Sequence, residues 1–170
     1  MLDIIKMAGE IIKSNRFLSL ATSNKEGNVW CTPLSYCFDE DCNFYFTTTL
    51  DSKHIENIRD NPYVAFSIFD STRRVSDIDG LQVAGIVGEV ERGKLPEVVD
   101  KYYKYVFPDS NERAEWAAPC EYFTQNEYPI YRFFQIMPIN VQKRDTENLD
   151  VDRTVEINIE LLKKELNDGI

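Results

Sequence analysis

The fold class predicted for this chain is mainly β with helices: about six antiparallel strands closed into a small barrel, with helices inserted at three places. Three observations predict it. Short runs that alternate apolar with small or polar residues recur along the chain, RFLSLAT at 16–22 and YVAFSIF at 63–69 among them. Most are joined by tight turns, such as Asn24-Lys25-Glu26-Gly27 and Asp39-Glu40-Asp41. So many antiparallel strands leave unpaired edges unless the sheet closes on itself.

In chain order, residues 2–14 place Ile4, Ile5, Ala8, Ile11 and Ile12 at helical spacing and predict an amphipathic helix that ends at Ser14-Asn15. A hairpin follows, with strands over 16–22 and 29–38. Pro33 cannot donate to a ladder, so it marks an edge, a bulge or an opening of the sheet. The third strand, 43–48, runs into a helix over 52–59 that Asn61-Pro62 ends. Residues 63–69 are the fourth strand, 70–79 a polar irregular segment, and 81–91 a long fifth strand in which Gly85 and Gly88 mark bulges or curvature. Helices are expected over 94–106 and once more within 109–120, and a last strand over 128–142, interrupted at Pro138. Residues 1–144 are read as the barrel domain. Residues 145–170 form an acidic tail of eight acids and three bases, whose helix, over 157–166, can dock on the barrel or on a partner subunit.

A length of 170 residues fits one domain with a real core. No run has the eighteen or so apolar residues of a membrane span, and the N-terminus does not read as a signal peptide, so no membrane association and a cytoplasmic location are expected. Nineteen basic against twenty-nine acidic residues, a net charge of -10, argue against nucleic acid as a partner. Cys31, Cys37, Cys42 and Cys120 have no metal-ligand spacing, and the chain has one histidine, so buried free thiols and no metal site are expected.

The chemistry concentrates in FYFTTTLDSKHIENI, residues 44–58. An apolar strand ends in a run of hydroxyls, turns through Asp51-Ser52, and enters a helix with Lys53 on its first turn. Hydroxyls, free N–H groups at a helix start and a lysine together make a phosphate seat. Ordinary capping by Asp51 or Ser52, with Glu56 further on, accounts for the same pattern without a ligand. His54 reads as a capping or surface histidine that can also add a phosphate donor.

Tyr45-Phe46-Thr47-Thr48, Ser52-Lys53, Asn61-Pro62 and Gly80-Leu81-Gln82-Val83, in this order and spacing, resemble the pyridoxamine 5'-phosphate oxidase-like family of FMN-binding split barrels. The resemblance covers roughly residues 3–143. It implies a six-stranded antiparallel split barrel, homodimeric, with FMN bound at the subunit interface, and a nicotinamide or other small-molecule redox partner. It implies that Phe46 lies at the cofactor, that Thr47 and Thr48 offer their hydroxyls to its ribityl phosphate, that Ser52 and Lys53 hold the same phosphate from the helix start, that Cys31, Thr32, Pro33 and Leu34 line the flavin ring, and that Gln82 bonds the ring edge. Trp116 and Arg132 can cap a neighbour's flavin.

The chain departs from the family's oxidases in two ways. It lacks a C-terminal segment with arginine and histidine, and Ser52 stands where those oxidases carry arginine, so the vitamin-B6 reaction itself is not expected. The resemblance implies an FMN-dependent oxidoreductase of unassigned substrate. The alternatives are a non-enzymatic flavin-binding or redox-sensing protein and, third, a haem-binding split barrel.

Overall fold

The computed structural model describes residues 2–125, 130–145 and 153–168. Helix α1, Leu2–Ser14, leads into strands β1 (Phe17–Ser23), β2 (Val29–Ser35), β3 (Cys37–Phe38) and β4 (Phe44–Thr49). Then come α2 (Lys53–Asp60), β5 (Tyr63–Phe69), a 3-10 turn at Val75–Asp77, and β6 (Gly80–Glu89). Helices α3 (Leu95–Val106), α4 (Ser110–Trp116) and α5 (Cys120–Gln125) precede the long β7 (Tyr131–Arg144), and β8 (Thr154–Glu156) and α6 (Ile159–Asn167) finish the chain.

The sheet runs β2-β1-β5-β6-β7-β4-β3, antiparallel at every described pairing, with β8 on β7. Its two ends are one stretch of chain, because a single residue, Tyr36, separates β2 from β3. The path therefore returns on itself. Leu18, Leu20, Phe44, Phe46, Phe66, Ile68, Val83 and Ile136 fill the interior, with Ile5, Ala8, Ile11 and Ile12 of α1 among them. A second cluster lies outside the sheet, where Val98, Val99 and Tyr102 of α3 and Phe123 of α5 cover Cys37, Tyr45 and Phe133.

Several expectations need correction. Strand β7 is continuous through Pro138. Ala84 pairs with Asn140 and Gly85 with Pro138, so the ladder shifts there and Ile139 is the extra residue of a bulge that absorbs the missing donor. The six expected barrel strands are joined by β8, which precedes the terminal helix in a tail where no strand is expected, and α5 adds to the one short helix expected within 109–120. Residues 146–152 of the tail lie outside the described residues. Helix α6 packs on α1: Leu162 and Leu166 are fully buried, and Lys13 Nζ donates to the Glu165 carbonyl at 2.9 Å.

All four cysteines are free, but only Cys37 and Cys42 are buried as expected; Cys120 is half-buried and Cys31 is exposed. Burial pushes the Cys37 and Cys42 thiols up, Cys42 to about 12, so both stay protonated. Asp79 and Lys143 form a buried ion pair at 2.8 Å that pins the end of the 70–79 segment to β7. Among the described residues no helix is long and apolar enough to cross a membrane.

Gly85 is required by close approach. A Cβ there would sit 2.8 Å from the Met137 carbonyl oxygen and 2.8 Å from Ile136 Cγ2. Gly85→Ala is expected to destabilise the fold by about 1–3 kcal/mol. A shift of the urea midpoint at unchanged slope checks this; an unshifted midpoint would mean that the bulge yields freely.

Candidate functional site

Strand β4 consists of six aromatic and hydroxyl residues, FYFTTT, whose side chains alternate between the two faces of the sheet. Phe46 and Thr48 face inward, and Thr47 faces the other side. The hydroxyls of Thr47 and Thr48 therefore do not form one row. Thr47 Oγ1 donates to the Arg132 carbonyl at 3.2 Å, across the β4–β7 ladder. Thr48 is buried and turns toward α2.

Helix α2 and its C-cap are held against β1 by two side-chain bonds: Asn57 Nδ2 donates to Thr22 Oγ1 at 3.1 Å, and Asn61 Nδ2 to Ser23 Oγ at 3.0 Å. This docking brings its first turn beside Thr48 and Thr32. Ser52 occupies the N-cap, but its side chain makes no cap bond; its hydroxyl donates back to the Thr49 carbonyl at 2.8 Å. Ile55 and Glu56 are the first to bond back into the helix, both to the Ser52 carbonyl. The N–H groups of Lys53 and His54 precede that ladder, the usual state of a helix start and the basis of its affinity for anions.

His54 is not a surface or capping residue; it is 4% exposed. Nε2 lies 2.9 Å from Thr48 Oγ1 and 3.1 Å from Ser52 Oγ, and Nδ1 lies 3.4 Å from Thr32 Oγ1. Its ring meets Phe46 edge-on at 6.3 Å, and Phe46 in turn stacks on Phe134 at 5.5 Å. Phe46, expected at the cofactor, is fully buried and serves as the wall beneath His54. The sequence offered no sign that the only histidine turns inward. Alternation along β4 was a usable signal for separating Thr47 from Thr48.

Two cations border this cluster. Lys53 is half-exposed and pairs with Glu56 at 2.8 Å. Arg132 stands opposite Thr48 in the ladder, hence on the same face, and donates through Nη1 to Glu89 at 2.6 Å. Its Nε is buried without a partner, which is costly unless something accepts from it.

The remaining candidates lie elsewhere. Cys31 and Gln82 line one open trough of about 460 Å³ on the outer face of β1, β2, β5, β6 and β7, together with Ser19, Ala21, Ala65 and Ser67. Pro33 and Leu34 continue β2; Pro33 is exposed, opposite Ser19. Trp116 is exposed at the end of α4, and no described contact ties it to either part. One chain thus divides the candidate residues between two sides of β2, with Thr32 facing His54 and Cys31 facing the trough.

A family profile described as pyridoxamine 5'-phosphate oxidase matches residues 6–144. The chain belongs to the pyridoxamine 5'-phosphate oxidase family. A UPF0306 protein of Photorhabdus laumondii is 35% identical over 94 residues, 55% of this chain; the match spans 64% of that relative's length, just under two thirds. Among solved structures, a heme-binding protein of Mycobacterium smegmatis superposes with a TM-score of 0.70 at 14% identity, over 94% of this chain and 60% of that one. General Stress Protein 26 of Bacillus anthracis superposes with a TM-score of 0.59 at 19% identity, over 91% and 98%. At these identities the structural likeness shows the split-barrel fold of the family.

Burial lowers the His54 pKa from its ordinary value of 6.5, so the folded chain prefers the neutral ring. Below 6.5 the unfolded chain takes up a proton that the native chain resists, so the contribution of His54 to stability is complete above that pH and is lost as pH falls below it. Urea midpoints at pH 7.5 and 5.5 are expected to differ more in the wild type than in His54→Gln. An equal difference would mean that the ring is not held neutral.

Proposed function

We propose that this chain binds FMN, with the ribityl phosphate at the start of α2, and acts as an FMN-dependent oxidoreductase. The observation that carries the reading is the placement of the Thr48 hydroxyl, the leading N–H groups of α2 and Lys53 around the start of that helix, with Arg132 and its unpartnered Nε across the ladder from Thr48, on a chain whose net charge is -10. The donor set fits a phosphate monoester: hydroxyl and amide donors supply direction, and two cations supply charge. When bound, FMN supplies hydride and single-electron chemistry that no side chain has. The protein's part is to hold the phosphate at one end and to present the backbone of Cys31, Thr32, Pro33 and Leu34 to the ring. Lys53 acts as a point charge and must exchange Glu56 for the phosphate.

The proposal includes a homodimer, because the seat and the trough with Gln82 lie on opposite sides of β2 in one copy. The outer face of β1, β2, β5, β6 and β7 supports this. Phe17, Tyr63, Phe69 and Met137 are exposed on it, around Ser19, Ala21, Ala65 and Ala84, and none of these carries charge. On a strongly acidic chain, an uncharged, self-complementary face lets two copies meet without opposing like charges. A nicotinamide or other small-molecule reductant then reaches the flavin from solvent, and turnover above that of free FMN separates an enzyme from a flavin carrier.

Two neighbouring structures are described as haem proteins, the heme-binding protein of Mycobacterium smegmatis and a heme storage protein of Vibrio cholerae. Here the only imidazole has both nitrogens beside hydroxyls inside the seat, a poor arrangement for an axial ligand, so FMN is the better fit.

Lys53→Ala is expected to weaken FMN binding by about tenfold or more, as loss of a charge-assisted bond does, and to leave riboflavin binding unchanged. Fluorescence titration with both flavins checks this, and equal losses would place the phosphate elsewhere. Ala65→Arg is expected to turn a dimer into a folded monomer that has lost flavin. Light scattering that still finds a dimer would move the interface off this face.

A further inference from the structure

We infer that His54 is a positioning residue: through one ring tautomer it aims the Thr48 hydroxyl proton at the bound phosphate. The inference rests on the FMN reading above and adds what makes its seat a directed donor. Hydrogen-bond accounting around the ring supports it. Ser52 has one hydroxyl proton and donates it to the Thr49 carbonyl at 2.8 Å. At 3.1 Å from Nε2, Ser52 Oγ can then only accept, so Nε2 must carry the ring proton; two lone pairs at that distance would repel. Thr48 Oγ1, 2.9 Å from the same Nε2, accepts a share of that proton as well.

Nδ1 is left as an acceptor, and Thr32 Oγ1, at 3.4 Å, is the hydroxyl placed to donate to it. Each proton of the cluster is then assigned except that of Thr48. Its only described acceptor is Ser52 Oγ at 3.4 Å, a long contact that a stronger acceptor displaces. A phosphate oxygen at the start of α2 is such an acceptor. The opposite tautomer would draw the Thr48 proton into Nε2 and away from a ligand, and would leave Ser52 facing a bare nitrogen. His54 therefore touches neither phosphate nor ring and acts through Thr48. The edge-on packing of Phe46 and the contact to Thr32 at the far nitrogen hold the ring in the plane this requires.

The chain has one histidine, so a long-range proton–nitrogen correlation spectrum of the ring reads it without assignment. The 170-residue chain without flavin is expected to show the Nε2–H tautomer at neutral pH; an Nδ1–H ring, or fast exchange between the two, overturns the inference. Two variants add a functional readout. Glutamine places an amide where Nε2 stood and asparagine places one where Nδ1 stood, so His54→Asn is expected to weaken FMN binding about tenfold while riboflavin binding holds, and His54→Gln to restore most of it. Circular dichroism establishes that both variants fold. Should either unfold, the wild-type tautomer alone decides. Equal FMN binding in the two folded variants overturns the positioning role and leaves the phosphate seat standing. A wild type that binds riboflavin as tightly as FMN overturns the seat, and the inference with it.

Discussion

The structure depends on one residue of extended chain. Tyr36 separates β2 from β3, and through it the first and last strands of the sheet path become a single run. Its side chain is fully buried against Phe44 and Tyr105, its O–H donates to the Ile12 carbonyl at 2.8 Å, and its N–H donates to the Arg16 carbonyl at 3.1 Å. One residue thus ties the barrel seam to the end of α1. A shift of one position there would exchange every inward side chain of β2 for its outward neighbour. Thr32 would leave His54, and Cys31 would leave the trough. Closure and the division of the candidate site are consequences of the same register.

That register also explains a site shared between two faces. Alternation sends Thr48 inward and Thr47 outward, and sends Thr32 toward α2 and Cys31 away from it. A phosphate needs a polar corner with partial burial, whereas a flat ring needs an open, uncharged wall. A single thin sheet offers these on opposite sides, and in the dimer proposed above the pairing of two copies brings them together. The neutral histidine suits the same constraint. An uncharged ring between three hydroxyls organises donors without adding a buried charge that would need its own partner.

Much of the fold was legible because it lies in short-range pattern. Period-two alternation found β1 and β5, Asn61-Pro62 ended α2 where the chain leaves the helix, and Gly85 marked the bulge. Pro138 misled, because its missing donor is absorbed by a ladder shift that is visible only from the partner strand. Strand β8 has three residues and exists by pairing with β7, so no local pattern announces it. In the site, Ser52 and Lys53 stand at the start of α2 as read. The inward turn of His54 depends on how α2 docks through Asn57 and Asn61, a tertiary fact. Arg132 gains its interest from standing across the ladder from Thr48, 84 positions away in the chain.

The central claim is that the corner formed by Thr48, Lys53 and Arg132 holds a flavin phosphate. The most direct measurement is the visible absorption spectrum of the purified protein after separate incubation with FMN and with haem, each followed by desalting. Retained flavin bands near ~370 and ~450 nm, with no haem Soret band, are the predicted result. A Soret band that survives desalting, from a protein that releases all its FMN, would contradict the claim and give the barrel to a different cofactor.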